Sequence, residues 1–338
     1  MKILIYTPAF LPKIGGLENM AHMLGKELSA LNHQVTIITL TANDNHDNFL
    51  DYSVIRKPSL LKLWQEYLHC DLILYLNISL KGIWPLLFKK KPAFVSHQIT
   101  YFNFDGSLNY LERLKRYLTR YMINISCSDY VRQTLPKSQG VVIHNAYDQN
   151  IFKSIITYTN RTKDLVMVGR LVSDKGVDTL LEALYHLKKD NILPNLSIIG
   201  EGPELSYLKG LSTKYNLDEQ VIFLGKIIGT DLAQEINKHK IMIVPSKWKE
   251  PFGLVALEGL ACGCKLIVSD TGGLKEASGG FCSTFENGNA ISLYEILKIS
   301  IKDNLNSPDC SLHLKNHEAV NITKQYAQCF NHHSSLSN

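Results

Sequence analysis

The chain has 338 residues, of which 45% are hydrophobic and 20% charged, with seven cysteines and a formal net charge of +5. That length suits two domains, the composition excludes a disordered chain, and so small a positive surplus excludes an electrostatic case for nucleic acid. Without a run of about 18 apolar residues no membrane span is expected, and scattered cysteines lacking a CxxC pair point to reduced thiols in the cytoplasm rather than a disulfide framework.

In chain order, "KILIYT" (Lys2–Thr7) is a buried strand, and the segment around it lacks the cleavage pattern of a secretory leader. A loop ends at Gly15 and Gly16. Leu17, Met20, Ala21, Leu24, Leu28 and Leu31 then mark one face of a helix. "QVTIITL" is the second strand, and the polar run "TANDNHDN" (41–48) follows it as a loop. "DLILYL" (Asp71–Leu76), "PAFVSH" (Pro92–His97), "INISCS" (Ile123–Ser128) and "GVVIHN" (Gly140–Asn145) continue a strand–helix alternation. Such alternation predicts a parallel sheet covered on both faces.

Charge is uneven along the chain. Residues 1–150 hold 16 Lys and Arg against 11 Asp and Glu, so the whole +5 surplus lies there, and the remainder balances. Part of it is Lys89, Lys90 and Lys91. Part is a helical window in which Arg113, Lys115, Arg116 and Arg120 interleave with Tyr110, Leu111, Leu114, Tyr117 and Leu118. A basic amphipathic helix suits an anionic membrane surface or an acidic acceptor, and equally a solvated face over an ordinary core.

After a polar stretch from Asp148 to Lys163 the alternation restarts. "DLVMVGRL", "LSIIGEG", "VIFLG", "IMIVPS" and "KLIVSD" are strands, with helices over "GVDTLLEALYHL", "ELSYLKGLSTKY", "TDLAQEINK" and "GLVALEGLAC" between them. The expected fold class is therefore α/β, with two Rossmann-like doubly wound domains facing a central cleft. They take residues 1–152 and 160–317, and a last helix at about 318–332 rejoins the first domain.

Several residues carry candidate chemistry. Gly15 and Gly16 open a helix, where backbone amides and the helix dipole favour an anion. The G-x-G-x-x-G spacing is missing here and at "GEGPEL" (Gly200–Leu205), which weighs against a dehydrogenase. Arg170 and Lys175 in "GRLVSDKG" stand at the carboxyl end of a strand, placed to hold a diphosphate by a fork and a point charge. Glu250 lies in a Pro- and Gly-flanked loop, and Glu258 lies a turn and a half into the next helix. Carboxylates accept vicinal hydroxyls in pairs, and the helix N-terminus at Gly253-Leu254 offers amides to a phosphate. His97 ends a strand. His313 and His317 lack the further histidine of a zinc-binding H-E-x-x-H helix, so no metal site is expected.

Taken together, Gly15-Gly16, "GRLVSDKG", "GEGPE", Glu250-x7-Glu258 and "SDTGGLKE" resemble the retaining glycosyltransferases of the GT-B fold, family 4. The resemblance spans nearly the whole chain. It implies transfer of a sugar from a nucleotide sugar to a glycan or lipid-linked acceptor with retention, in the cytoplasm or peripherally on the inner membrane face. Gly16 would bring its N–H to the donor diphosphate. Arg170 and Lys175 would neutralise that diphosphate. Glu250 would hold hydroxyls of the transferred sugar, Glu258 the ribose, and His97 would line the sugar pocket. Phe252, Gly253 and Leu254 would offer backbone contacts to sugar and phosphate. Asn145 resembles the Asn of the family's "NGVD" turn, although Ala146 and Tyr147 replace the next two residues, and "FCSTFENGNAISLYEIL" departs from the usual "GLLVPPGD" stretch. No cofactor is expected beyond the donor substrate, because two fixed cations make a divalent metal unnecessary. A GT-B epimerase and a non-catalytic nucleotide-sugar-binding subunit are the alternatives.

Overall fold

The computed structural model describes residues 1–13, 15–42, 47, 50–103, 106–138, 140–303 and 309–334. Most of the polar loop expected at 41–48 lies outside them. The chain divides into two compact units, one of Met1–Ala146 with the chain from His317 onward, and one of Tyr147–Asn316.

The first unit is built on β1 (Lys2–Thr7), β2 (Gln34–Thr39), β3 (Ser53–Arg56), β4 (Leu72–Leu76), β5 (Ala93–His97), β6 (Ile123–Ser126) and β7 (Val141–Val142). All pairings are parallel, in the order β3-β2-β1-β4-β5-β6-β7. Strand side chains alternate between two cores because their period is two. Ile3, Ile5, Leu72, Leu74 and Phe94 face α1 (Gly16–Ala30). Leu4, Tyr6, Ile73, Tyr75 and Val95 face α2 (Leu60–His69) and the turn formed by α3 (Leu80–Ile83) with Trp84–Leu87. Both faces are dry, which is why the central strands read as unbroken apolar runs. Two further helices, α4 (Tyr110–Leu118) and α5 (Asp129–Thr134), flank β6.

The second unit has β8 (Lys163–Val168), β9 (Leu196–Ile199), β10 (Val221–Gly225), β11 (His239–Val244), β12 (Lys265–Ser269) and β13 (Ser283–Phe285). They are again parallel, in the order β10-β9-β8-β11-β12-β13. Its helices are α6 (Val177–Lys189), α7 (Leu205–Lys214), α8 (Gly229–Asn237), α9 (Leu254–Ala261), α10 (Leu274–Ser278), α11 (Ala290–Lys302) and α12 (Ser311–Asn316). Leu165, Met167, Ile241, Ile243 and Ile267 pack with Leu180, Leu184, Leu208 and Leu293 from α6, α7 and α11. So two doubly wound α/β units are present. The departing stretch "FCSTFENGNAISLYEIL" nonetheless supplies β13 and α11.

Residues 147–162, read from sequence as a polar connection, pack with the second unit. Asn237 accepts the Ile155 amide at 2.8 Å and donates to the Lys153 carbonyl at 3.0 Å. Arg161 is buried and donates to the carbonyls of His239 at 2.7 Å and Cys262 at 2.6 Å. The last helix, α13 (Ala319–Ser334), returns to the first unit, where Ile322, Tyr326 and Phe330 join the α1-side core. Tyr326 and Ser96 exchange a hydroxyl hydrogen bond of 2.8 Å.

Candidate functional site

In the second unit the strand order reverses between β8 and β11. Loops leaving the carboxyl ends of strands at such a reversal part and form a crevice, where ligands of doubly wound sheets bind. Two of the loops singled out from sequence leave these two strands. Gly169 and Arg170 follow β8, and Pro245 to Pro251 follow β11.

The loops are stitched together by backbone. The Asp174 carbonyl accepts the amides of Lys247 at 2.8 Å and Trp248 at 3.0 Å. Gly176 is left-handed, with φ of 67°, and a Cβ there would stand 1.9 Å from the Pro245 carbonyl oxygen. Only glycine combines that backbone angle with so close an approach. The result brings Lys175 to Glu250, whose Oε1 accepts the Lys175 ammonium. The same oxygen accepts the Ser246 hydroxyl at 2.8 Å, while Ser269 Oγ donates to the Ser246 carbonyl at 2.6 Å. The two charged side chains are only 20% and 14% exposed. An ion pair this sheltered attracts more strongly than one in water, but part of that gain is offset by the loss of hydration. Arg170, by contrast, is exposed.

Behind Glu250 lies "TGG". The Gly273 amide donates to the Glu250 carbonyl at 2.7 Å, and a Cβ on Gly272 would meet that same oxygen at 2.4 Å. The loop ends at Gly253, left-handed with φ of 106°, which caps α9 without any side-chain hydrogen bond. The first amides of α9 are thus free of a side-chain cap, the usual condition for holding an anion. Phe252 is 2% exposed, so its ring belongs to the core and only its backbone can meet a ligand. Leu254 is the first helical residue and is half-buried. Glu258, in the second turn, is half-buried with no ion pair among the described residues. Burial raises its carboxyl to about 7, because the charged form loses water without gaining a cation.

Sequence spacing treats Lys175 and Glu250 as separate contacts for phosphate and sugar. The structure makes them partners, and adds Ser246, Ser269 and the Asp174 carbonyl, none of which the sequence reading singled out. The only hint was the small-residue content of "DKG" and "TGG", which marks loops that pass close to other backbone.

In the first unit, α1 starts at Gly16, and Gly15 is extended with φ of 179° and no side-chain cap. Glu18 turns back toward this terminus: a Cβ on Gly15 would lie 2.6 Å from its Oε2. The helix therefore carries its own carboxylate where its dipole favours one. His97 needs a correction. Expected to line a sugar pocket, it is fully buried, with Nε2 at 2.9 Å from Asn124 Oδ1 and Nδ1 at 2.7 Å from the Tyr101 hydroxyl. Desolvation lowers it to about 4, so it is a neutral core histidine with both ring nitrogens in use. Asn145 is buried, and its Oδ1 has no hydrogen-bond partner among the described residues. His313 Nε2 donates to the Ala277 carbonyl of α10 at 2.9 Å, and His317 stacks on His144. Among the described residues no group of three metal-ligating side chains occurs.

Residues 148–306 match the model of the glycosyl transferases group 1 family. The match takes in somewhat under half of the chain, within the second unit. The matched segment contains every residue of the Lys175–Glu250 arrangement. The chain is also similar to an uncharacterized glycosyltransferase of Methanocaldococcus jannaschii, with 26% identity over 82% of this chain and 82% of that protein. A second relative is the alpha-monoglucosyldiacylglycerol synthase of Streptococcus pneumoniae, 24% identical over 79% of this chain and 70% of that one. Among solved structures, HepE of Anabaena in complex with UDP and glucose is 20% identical. It covers 98% of this chain and 99% of its own with a TM-score of 0.80. The shared architecture is the GT-B fold. Among the described residues no helix is long and apolar enough to cross a membrane.

Proposed function

We propose that the chain transfers a sugar from a nucleotide-sugar donor to a glycan or lipid-linked acceptor, with retention at the anomeric carbon. The observation that carries this reading is the double occupancy of Glu250 Oε1 by Lys175 and Ser246 at the strand-order reversal, inside the segment that matches the glycosyl transferase family. In this reading Arg170 and Lys175 take the charge that develops on the departing diphosphate, and the open N-terminus of α9 adds its amides. Glu250, steadied by Ser246, accepts hydroxyls of the sugar, and Glu258 accepts those of the ribose. Gly15 and Gly16 are the amides proposed from the first unit.

The bond between the anomeric carbon and the phosphate oxygen breaks as the acceptor hydroxyl attacks from the same face. The hydroxyl proton passes to the departing phosphate. Retention by double displacement requires a carboxylate nucleophile about 5 Å from its partner. Glu250 is engaged by Lys175 and Ser246 instead, which favours the same-face route. A lipid-linked acceptor is supported by the Streptococcus pneumoniae relative, whose name gives a glucosylated diacylglycerol as its product.

The test is incubation with labelled uridine and guanosine diphosphate sugars, a lipid or glycan acceptor, and a chelator. Transfer with the donor's anomeric configuration is expected. Isomerised donor would make the protein an epimerase, and binding without turnover would make it a non-catalytic subunit. Lys175→Ala is expected to lower turnover about 10²–10³-fold while changing affinity for the free nucleotide little. Wild-type turnover in that variant would remove Lys175 from the leaving-group role.

A further inference from the structure

The first unit exposes an apolar ridge on the face covered by α2. Trp64 of α2 stacks on Tyr67 at 6.0 Å and on Trp84 at 5.7 Å, and Phe88 meets both tryptophans edge-on at 6.2 and 6.0 Å. These rings roof the core around Leu63, Tyr67 and Tyr75. Outside the roof stand Leu60 at 71% exposure, Leu61 at 66%, Leu87 at 79% and Phe88 at 75%. Leu60 and Leu61 precede Trp64 by one helical turn and share its side of α2. Phe88 reaches the same tryptophan from the following turn, and Leu87 is its chain neighbour. Four large apolar side chains within a turn of these rings along the chain therefore keep most of their surface in water. Scattered exposed leucines are ordinary, but a contiguous patch marks a contact surface.

Of the exposed charged residues from Lys57 to Lys90, five are lysines and one is Asp71. Lys57, Lys81, Lys89 and Lys90 are exposed. Lys62 pairs with Glu66 at 2.7 Å. Lys91, the third residue of the lysine run, turns inward, and its ammonium donates to the carbonyls of Leu68 at 2.9 Å and Cys70. Two lysines of that run are thus left facing solvent directly after Phe88. Apolar tips with an aromatic base and a lysine rim are what an anionic bilayer interface recognises, because hydrocarbon enters the headgroup region while ammonium groups meet phosphates. A second copy of the chain fits poorly, since a two-fold contact would set lysine rim against lysine rim.

The basic helix α4, which the sequence brings forward for this role, is spent partly on the protein itself. Arg116 donates to the Thr134 carbonyl and lies 4.7 Å from the Phe102 ring centre, and Lys115 pairs with Glu112 at 2.7 Å.

We propose that Leu60, Leu61, Leu87 and Phe88, with Lys89 and Lys90 beside them, dock the protein on an anionic lipid surface. The inference rests on the surface of the first unit alone and stands or falls separately from glycosyl transfer. It is tested by co-sedimentation of the full chain with phosphatidylcholine vesicles, with and without phosphatidylglycerol. Wild type is expected to pellet only with the anionic vesicles, with a blue shift of tryptophan emission. Leu87→Ser with Phe88→Ser is expected to weaken partitioning at least about tenfold. Lys89→Gln with Lys90→Gln is expected to weaken it about fivefold per lysine and to reduce its salt dependence. Arg113→Gln with Arg120→Gln is expected to bind as wild type. All six substituted positions are exposed, so unchanged circular dichroism is the folding control, and unchanged transfer to a soluble acceptor separates docking from catalysis. The proposal is overturned if wild type ignores anionic vesicles, or if only the α4 variant loses binding. It also fails if Leu87→Ser with Phe88→Ser abolishes self-association or capture of an acidic protein and leaves vesicle binding unchanged.

Discussion

Glu258 and His97 are both isolated from opposite charge, and desolvation moves them in opposite directions. The Glu258 carboxyl rises to about 7 and the His97 imidazole falls to about 4. Both shifts disfavour the charged form, which is the signature of burial rather than of a neighbouring ion. For Glu258 the sign has a use. A carboxylate accepts two ribose hydroxyls at once, whereas its protonated form must spend one oxygen as a donor. Binding of a nucleoside monophosphate is therefore expected to tighten as pH rises through about 7 and then level off. Glu258→Gln should bind more weakly and with a flat pH profile, as calorimetry at several pH values would report. A flat profile in the wild type would assign Glu258 a structural role only. The same shift bears on stability. Because the folded-state value lies above the unfolded one, the native protein holds this proton longer. The Glu258 contribution therefore falls as pH climbs from the usual carboxylate range through about 7.

At the level of elements, the site depends on two loops held in register by backbone contacts. Gly176 is the hinge of that register. Gly176→Ala must either leave the left-handed region or push Pro245 away, and each response shifts Lys175 from Glu250. We expect a lower melting temperature together with loss of transfer, whereas Gly280→Ala, where a Cβ meets open space, is expected to keep transfer. Retained activity in Gly176→Ala would show that the pairing of Lys175 with Glu250 is dispensable. This dependence explains what the sequence revealed and what it hid. Long apolar runs such as "KILIYT" and "DLILYL" announce central strands, since both faces must be apolar. The edge strands β3 and β13 are only four and three residues long, too short for a period to emerge. Arg170, Lys175, Glu250 and Glu258 stand out by residue type and by position after strands or at a helix start. The pairing of Lys175 with Glu250 joins residues 75 positions apart and follows from loop packing, which no local pattern encodes. His97 illustrates the converse. Its position at a strand end suggested a ligand contact, and only the neighbouring strand's Asn124 and the later Tyr101 reveal a satisfied core group.

The whole molecule comprises two separately packed units, and each is open to its own perturbation. Phe330 is fully buried and lies 4.8 Å, edge to face, from Phe94 in the first unit's core. Phe330→Ala is expected to cost about 3–5 kcal/mol there. Calorimetry should then show the transition of the first unit lowered by roughly 10 °C. Whichever of uridine and guanosine diphosphate the second unit binds should raise the other transition by mass action. If a single transition responds to both, the units do not unfold independently. The return of α13 also sets an order of assembly. Residues 1–146 leave the ribosome before the second unit, yet the aromatic plug formed by Tyr326 and Phe330 is made only after that unit. The later-made unit has all its sheet and helices once Asn316 has emerged. Of the two units, the one begun first is therefore completed second, and nascent chains stalled before residue 326 should expose an open hydrophobic trough for chaperones to cover.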